Sequence, residues 1–287
     1  MSHTDSAVLI TGAAGGIGTA TVRRLTERGY HVFAGVRRSA PGLDGLPDVD
    51  VLPFDVTDPD AVRGAAERVA GALGDRVLRA VINNAGLIIQ GPQELVPPAD
   101  LRRQFEVNTL GPAYVTQAFL PLLRRSTGRV INVSAPTANT PLPFMGPISA
   151  SKAALAALSE ALRAELAAWD IPVVLIEPDS TDTPIFAKAD ADARRALADT
   201  DPARVALYAP HLEALAKAMA AQRPAPVEPV AKAIVEAVEA RNPKRRYVIG
   251  RARMLSMLSR LPASMRESMI ARTFGLAGIR PPAEVTS

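Results

Sequence analysis

Short apolar runs alternate with helically spaced apolar positions through the first 250 residues. Ala7–Ile10, His31–Val36, Val51–Phe54, Val77–Asn83, Arg129–Ser134, Pro172–Glu177 and Arg246–Ile249 read as strands, β-branched or aliphatic and bounded by Gly, Pro, Asp or Asn. Between them Ile17–Arg28, Ala61–Leu73, Leu101–Leu123, Ser149–Trp169 and Val230–Ala240 read as helices. Strand–helix alternation predicts βαβ units, hence an α/β fold with a doubly wound parallel sheet of seven strands covered on both faces.

Two stretches break the repeat. Residues 184–226 are Ala-rich, helically patterned and Pro-bounded. They follow the sixth strand, beyond the carboxyl ends of the strands, where a substrate lid belongs. Residues 250–276 place Met254, Leu258, Leu261, Met265 and Met269 along two helices separated by Pro262. Packing of that stripe on the lid is expected, with a lipid surface as the alternative. No repeat or linker divides the chain, so residues 1–287 are expected to form a single domain.

Composition narrows the chemistry. The absence of cysteine excludes disulfides, thiolate zinc sites and a Cys nucleophile. His3, His31 and His211 are isolated, so no metal site is expected, and no nucleic-acid module is visible. The N-terminus lacks a basic region followed by an apolar stretch, and no apolar run is long enough to span a bilayer. A cytoplasmic protein is expected. The formal net charge of +4 hides an asymmetry: residues 241–287 hold ten Lys/Arg against Glu267 and Glu284. A solvated face is the expected reading, and contact with a membrane or an acidic carrier is the alternative.

The first strand ends in Thr11-Gly12-Ala13-Ala14-Gly15-Gly16-Ile17-Gly18 and runs straight into a helix. Glycines at 12, 16 and 18 permit a tight turn and bring backbone N–H groups to a pyrophosphate, as in a Rossmann-type dinucleotide site. This spacing resembles the short-chain dehydrogenase/reductase family, and further motifs follow in order. They are Asp55-Val56, Asn83-Asn84-Ala85-Gly86, Asn108 with Gly111, Ala150-Ser151-Lys152-Ala153-Ala154-Leu155, and Pro243 with Arg246-Tyr247-Val248-x-Gly250. The resemblance covers residues 6–276. It implies a cofactor site of Thr11, Gly12, Gly16, Ile17, Gly18, Asp55, Val56, Asn84, Ala85, Gly86, Lys152, Pro178 and Thr183. It also implies a homodimer or homotetramer paired through helices near 109–125 and 149–169.

Coenzyme choice follows from charge. An acid after strand two would bind the ribose 2′-OH of NAD, whereas a 2′-phosphate needs a cation. The chain has Val36-Arg37-Arg38, and arginine pairs bidentately with phosphate, so NADP(H) is expected.

The family's catalytic pattern is Asn, Ser, Tyr and Lys, with Tyr and Ser touching the substrate oxygen. Counting back from Lys152 puts Ile148 at the Tyr position and Ala135 at the Ser position. Asn108 and Lys152 remain. Ser134 is one residue off, and a slip of one turns a strand side chain to the other face unless a bulge intervenes. Asp179 stands where the family has a Gly after Pro178. Asp179, Tyr208, His211 or water held by Asn108 and Lys152 are the candidate substitute proton donors, and Ala135, Ile148 and Phe144 the candidate substrate pocket.

Three functions fit. The first is an NADP(H)-binding enzyme acting on a lipophilic small molecule by non-redox chemistry such as cyclisation, isomerisation or dehydration. The second is an NADPH-dependent oxidoreductase, a C=C or carbonyl reductase, with a substitute donor. The third is an NADP(H)-sensing or partner-binding pseudoenzyme.

Overall fold

The computed structural model describes residues 3–280. The outermost parts of the expected domain, 1–2 and 281–287, with Glu284 among them, lie outside the described residues. Seven strands form one parallel sheet: β1 (Ser6–Thr11), β2 (His31–Val36), β3 (Val49–Pro53), β4 (Val77–Asn83), β5 (Arg129–Val133), β6 (Val173–Glu177) and β7 (Arg246–Val248). Their order is β3-β2-β1-β4-β5-β6-β7. The winding direction reverses between β1 and β4, and the crevice beyond their carboxyl ends is the ligand position of such sheets.

Every residue of β1, β5 and β6 is buried, which is why these strands read as continuous apolar runs rather than alternating ones. One face carries a core built on Ile10, Val32, Ile82 and Ile176 under α1 (Gly16–Thr26) and α9 (Glu228–Glu239). The other is built on Leu9, Phe33, Val81 and Phe119 under α2 (Pro59–Ala72) and α4 (Gly111–Ser126). Full burial of one such side chain contributes about 1.5–3 kcal/mol. Arg129, buried in β5, donates from Nη1 to the carbonyls of Ala237 and Ala240 and so caps the end of α9.

Strands and helices lie within one to three residues of expectation, with one interruption. The expected helix 101–123 is broken into α3 (Pro98–Phe105), a π turn (Glu106–Leu110) and α4. Pro112 has no N–H to give the helical ladder, and Gly111 N–H reaches back to the Glu106 carbonyl instead. The next helix, α5, starts at Gly146 and runs to Glu165, ending in a 3₁₀ turn over Leu166–Trp169.

The expected lid is three helices, α6 (Pro184–Ala198), α7 (Pro202–Leu207) and α8 (Ala209–Ala220). Its ends are pinned together: Asp182 N–H donates to Ala225 O at 2.8 Å and Ala225 N–H to Ser180 O at 2.7 Å. Ala189 is the one buried residue of the three helices, so little apolar area holds the lid closed.

Pro262 separates α10 (Ala252–Leu258) from α11 (Ala263–Thr273), as expected. The expected packing of the methionine stripe is not found. Ala252, Ile270 and Phe274 are the buried anchors, whereas Met254, Met265 and Met269 face outward and Leu258 and Leu261 are half-buried. The helices are rotated so that their small and aromatic residues meet the body.

Candidate active site

The site forms where β1 and β4 end. Thr11 Oγ1 accepts from the N–H groups of Asn84 and Ala85, both at 3.1 Å. Asn84 Nδ2 donates to the carbonyls of Thr11 and Gly12. These bonds fix the turn after β1. Gly12 has φ +65°, and a Cβ there would lie 2.7 Å from Ala85 Cα, so only glycine fits.

Helix α1 opens beside that turn with Gly15 at its N-cap, no side-chain cap and no acid in the first turn. Among the described residues, the N–H groups of Gly16, Ile17 and Gly18 donate to no protein acceptor. A Cβ on Gly16 would lie 2.6 Å from Thr183 Cγ2, so the residue just before the lid lies against the start of α1. The free N–H groups and the positive helix end fit the pyrophosphate of a dinucleotide.

Three further expectations cluster around this cradle. Arg37 and Arg38 stand exposed after β2 with no side-chain partner among the described residues. Asp55 Oδ1 accepts from Thr57 N and Oγ1, which shapes the loop after β3 that carries half-buried Asp55 and buried Val56. Half-buried Pro178 follows β6. Together with the free N–H groups of α1, these residues suit a nicotinamide adenine dinucleotide.

Asn108 and Lys152 meet across Gly86. A Cβ on Gly86 would be 3.4 Å from Asn108 Oδ1 and 3.7 Å from Lys152 Nζ. Asn108 sits in the π turn, accepting from Leu87 N–H and donating to Leu87 O, both at 3.0 Å. Lys152, on α5, is buried and donates to Val133 O at 2.7 Å. Its burial pushes the ammonium down to about 8.

Between pH 8 and its ordinary 10.5 the unfolded chain keeps the Lys152 proton that the folded chain has lost. Stability from this group therefore rises with pH over that window. Denaturant unfolding of the natural chain and of Lys152→Met should show their difference shifting toward the natural chain by roughly 1–3 kcal/mol from about pH 7 to about pH 10. A difference that does not change with pH would contradict the burial of a charged Lys152.

The two positions counted back from Lys152 hold no donor side chain. Ala135 is half-buried at the start of a 3₁₀ turn, and Ile148 is 5% exposed in the first turns of α5. The β5 ladder runs to Val133 without a register shift, so no bulge within the strand turns Ser134 toward the Ala135 side. Ser134 donates its N–H to Ile176 O, while its Oγ is buried without a partner.

Two of the candidate acids are engaged elsewhere. Asp179 Oδ2 accepts from Arg251 Nε at 2.9 Å and Arg251 N–H at 3.0 Å, and Arg251 Nη2 reaches Arg223 O. One of the candidate proton donors, Asp179 is tied into a clasp joining the loop after β6, the end of the lid and the C-terminal helices. Asp179→Asn should lower Tm by about 2–4 °C and leave NADPH affinity within about twofold, read by thermal melts and calorimetry. An unmoved melting point would contradict the clasp.

Tyr208 donates its hydroxyl to Glu94 Oε2 at 2.8 Å, and Arg204 pairs with the same carboxylate at 3.2 Å. The bond to Glu94 raises the Tyr208 pKa, and hydrogen bonds from Tyr208 and Arg204 lower that of Glu94. Tyr208 therefore fastens the lid to the rim. His211 lies edge-on to Phe144, ring centres 6.2 Å apart, with Nδ1 buried and unpartnered. Of the lid candidates, His211 alone retains a free ring nitrogen next to a pocket residue.

Glu94, Arg251 and Glu177 were not singled out from the sequence. Glu177 ends β6 fully buried, held by Arg246 Nη1 at 2.9 Å and Asn139 Nδ2 at 3.3 Å. Burial raises its pKa, against the opposing charge of Arg246. An acid closing an apolar strand beside an Arg of the last strand was the available signal. Glu94 and Arg251 lie in surface-like segments, where nothing in the sequence pairs them with their partners.

Comparison with known proteins agrees with this geometry. Residues 6–194 match the family "short chain dehydrogenase". Mouse estradiol 17-beta-dehydrogenase 2 is 34% identical over 94% of this chain and 75% of its own length. The NADPH-dependent 3-dehydrocapnine reductase of Ornithobacterium rhinotracheale is 35% identical over 86% of this chain and 89% of its own. A crystal structure of a short chain dehydrogenase from Burkholderia cenocepacia in complex with NADP superposes with a TM-score of 0.69 at 27% identity, covering 93% and 96% of the two chains. With sheet order, glycine turn and matched residues in agreement, the chain belongs to the short-chain dehydrogenase/reductase family.

Proposed function

We propose that this protein is an NADPH-dependent reductase of a lipophilic small molecule, reducing a conjugated C=C bond rather than an isolated ketone. The observation that carries it is a division within one site. Lys152 and Asn108 are held in place beside Gly86, while Ala135 and Ile148, where the family pattern has Ser and Tyr, carry no polar side chain. Burying a charged lysine is costly, and its position is useful where a nicotinamide ribose must be oriented. When bound, NADPH supplies a hydride to an electrophilic carbon.

The rest falls to the chain. The N–H groups of Gly16, Ile17 and Gly18 would hold the pyrophosphate, Arg37 and Arg38 the 2′-phosphate, and Lys152 the ribose. Ile148, Ala135 and Phe144 press an apolar substrate against the nicotinamide side. In conjugated C=C reduction the carbon next to the carbonyl takes its proton from water, so a side-chain acid at the oxygen is not required. The reductase and dehydrogenase names of the relatives support redox chemistry. The exposed Leu110, Leu158 and Trp169 on the π turn, α5 and its 3₁₀ end support pairing of copies through α4 and α5.

Incubation with NADPH and matched sets of cyclic enones and saturated ketones in deuterated water tests the reading. Enones should be reduced with deuterium beside the carbonyl, and ketones left untouched. Conversion of a substrate with no NADPH consumed would overturn it in favour of cyclisation, isomerisation or dehydration. The buried hydrocarbon of Ile148, at a position that binds no oxygen, supports that second reading.

A further inference from the structure

The C-terminal helices carry large apolar side chains that the fold leaves uncovered. Met254 and Met257 are 58% and 61% exposed one turn apart on α10, and Met265 and Met269 are 54% and 45% exposed one turn apart on α11. Soluble surfaces rarely gather large apolar side chains in this way without a contact to make. The same segment is strongly basic. Six arginines lie within residues 250–280, against Glu267 alone. Arg251 is consumed by Asp179, whereas Arg260, Arg266 and Arg272 have no acidic partner among the described residues.

The location ties this face to the site. Thr140 Oγ1, in the segment between β5 and α5, donates to Leu255 O of α10 at 2.8 Å. A Cβ on Gly275, just after α11, would lie 3.7 Å from Ala214 of the lid helix α8. The two helices thus bridge the rim of the candidate pocket and its lid, with their buried residues inward and their methionines outward.

We propose that α10 and α11 dock the protein on an anionic lipid surface, with the four methionines entering the headgroup boundary and the arginines pairing with lipid phosphates. Apolar burial and positive charge act together in interfacial helices, and neither alone gives firm attachment. Arginines with long aliphatic stems keep their charge in the headgroup layer while the sulfur side chains go deeper. An acidic protein would complement the arginines but leave the spread of methionines over two helices unexplained. Docking there would place the lid and pocket rim at the layer where lipophilic substrates collect. It deepens the functional reading above, and vesicle binding is measured without substrate, so either can fail alone.

The test is cosedimentation of the full chain with phosphatidylcholine vesicles with and without phosphatidylglycerol. Binding should be at least about tenfold stronger with the anionic lipid and weaken with salt. The combined variant Met254→Gln, Met257→Gln, Met265→Gln and Met269→Gln changes exposed side chains only. It should lose about tenfold or more in vesicle binding while keeping its NADPH affinity. No vesicle binding by the natural chain would overturn the proposal. So would equal binding by the glutamine variant, which would mean charge adhesion alone. Dimers that dissociate in the glutamine variant, with no vesicle binding, would assign the face to a second copy instead.

Discussion

Introducing Ala135→Ser together with Ile148→Tyr should raise NADPH-dependent ketone reduction by at least about 10²-fold over the natural chain. Everything else that reaction needs stands around these two positions. Lys152 lies one helical turn beyond Ile148 on α5, and its ammonium, buried and held by Val133 O, would depress the pKa of a phenol placed at 148. Asn108 is fixed by two bonds to Leu87. A hydroxyl at 135 would add a donor at the end of β5. Ser134, just after the strand, shows that a buried hydroxyl is tolerated one residue away. Either substitution alone should give far less, because oxygen-orienting and proton-donating groups act as a unit. The readout is NADPH consumption with a panel of saturated cyclic ketones. A double variant that folds, binds NADPH and remains inert would mean that the pocket is shaped against ketones for another reason.

The second expectation concerns the coenzyme. Replacing Arg37→Ser and Arg38→Ser should weaken NADPH binding by about 10–100-fold, the loss typical of one or two charge-assisted hydrogen bonds. NADH affinity should stay within about threefold. The two arginines follow β2, at the end of the strand where the proposed coenzyme's 2′ position would lie; both are exposed, and neither is committed to another residue among those described. Equal losses for both coenzymes would indicate a structural role for the pair. No loss for either would return them to the solvated surface. Calorimetry separates the three.

The fold and the cradle were legible because they rest on short-range signals. A strand buried on both faces must be apolar throughout, and Gly12 and Gly16 are required where backbone meets backbone or the residue just before the lid. The break at Glu106–Leu110 was less visible, since the apolar spacing of 101–123 runs on through the π turn that precedes Pro112. Lys152 and Asn108 do come together beside Gly86, while the reading of Ala135 and Ile148 rests on spacing from Lys152 alone.

What the sequence concealed was pairing between distant segments. Asp179 could be read as a free acid because Arg251 lies 72 residues away. Tyr208 could be read as a pocket hydroxyl because Glu94 lies 114 residues away on the rim. In the C-terminal helices the apolar spacing was read correctly but the direction was not. Which face of a short helix turns inward depends on what it meets, and there Ala252, Ile270 and Phe274 make the contact.

The most direct measurement is calorimetric titration of the natural chain with NADPH and NADH in parallel. The account requires NADPH to bind, and to bind at least about tenfold more tightly than NADH. The glycine turn, Lys152 and the arginine pair would then form a working NADP(H) site in a pocket from which the oxygen-binding groups are missing. Failure of both coenzymes to bind, or tighter binding of NADH, would contradict it.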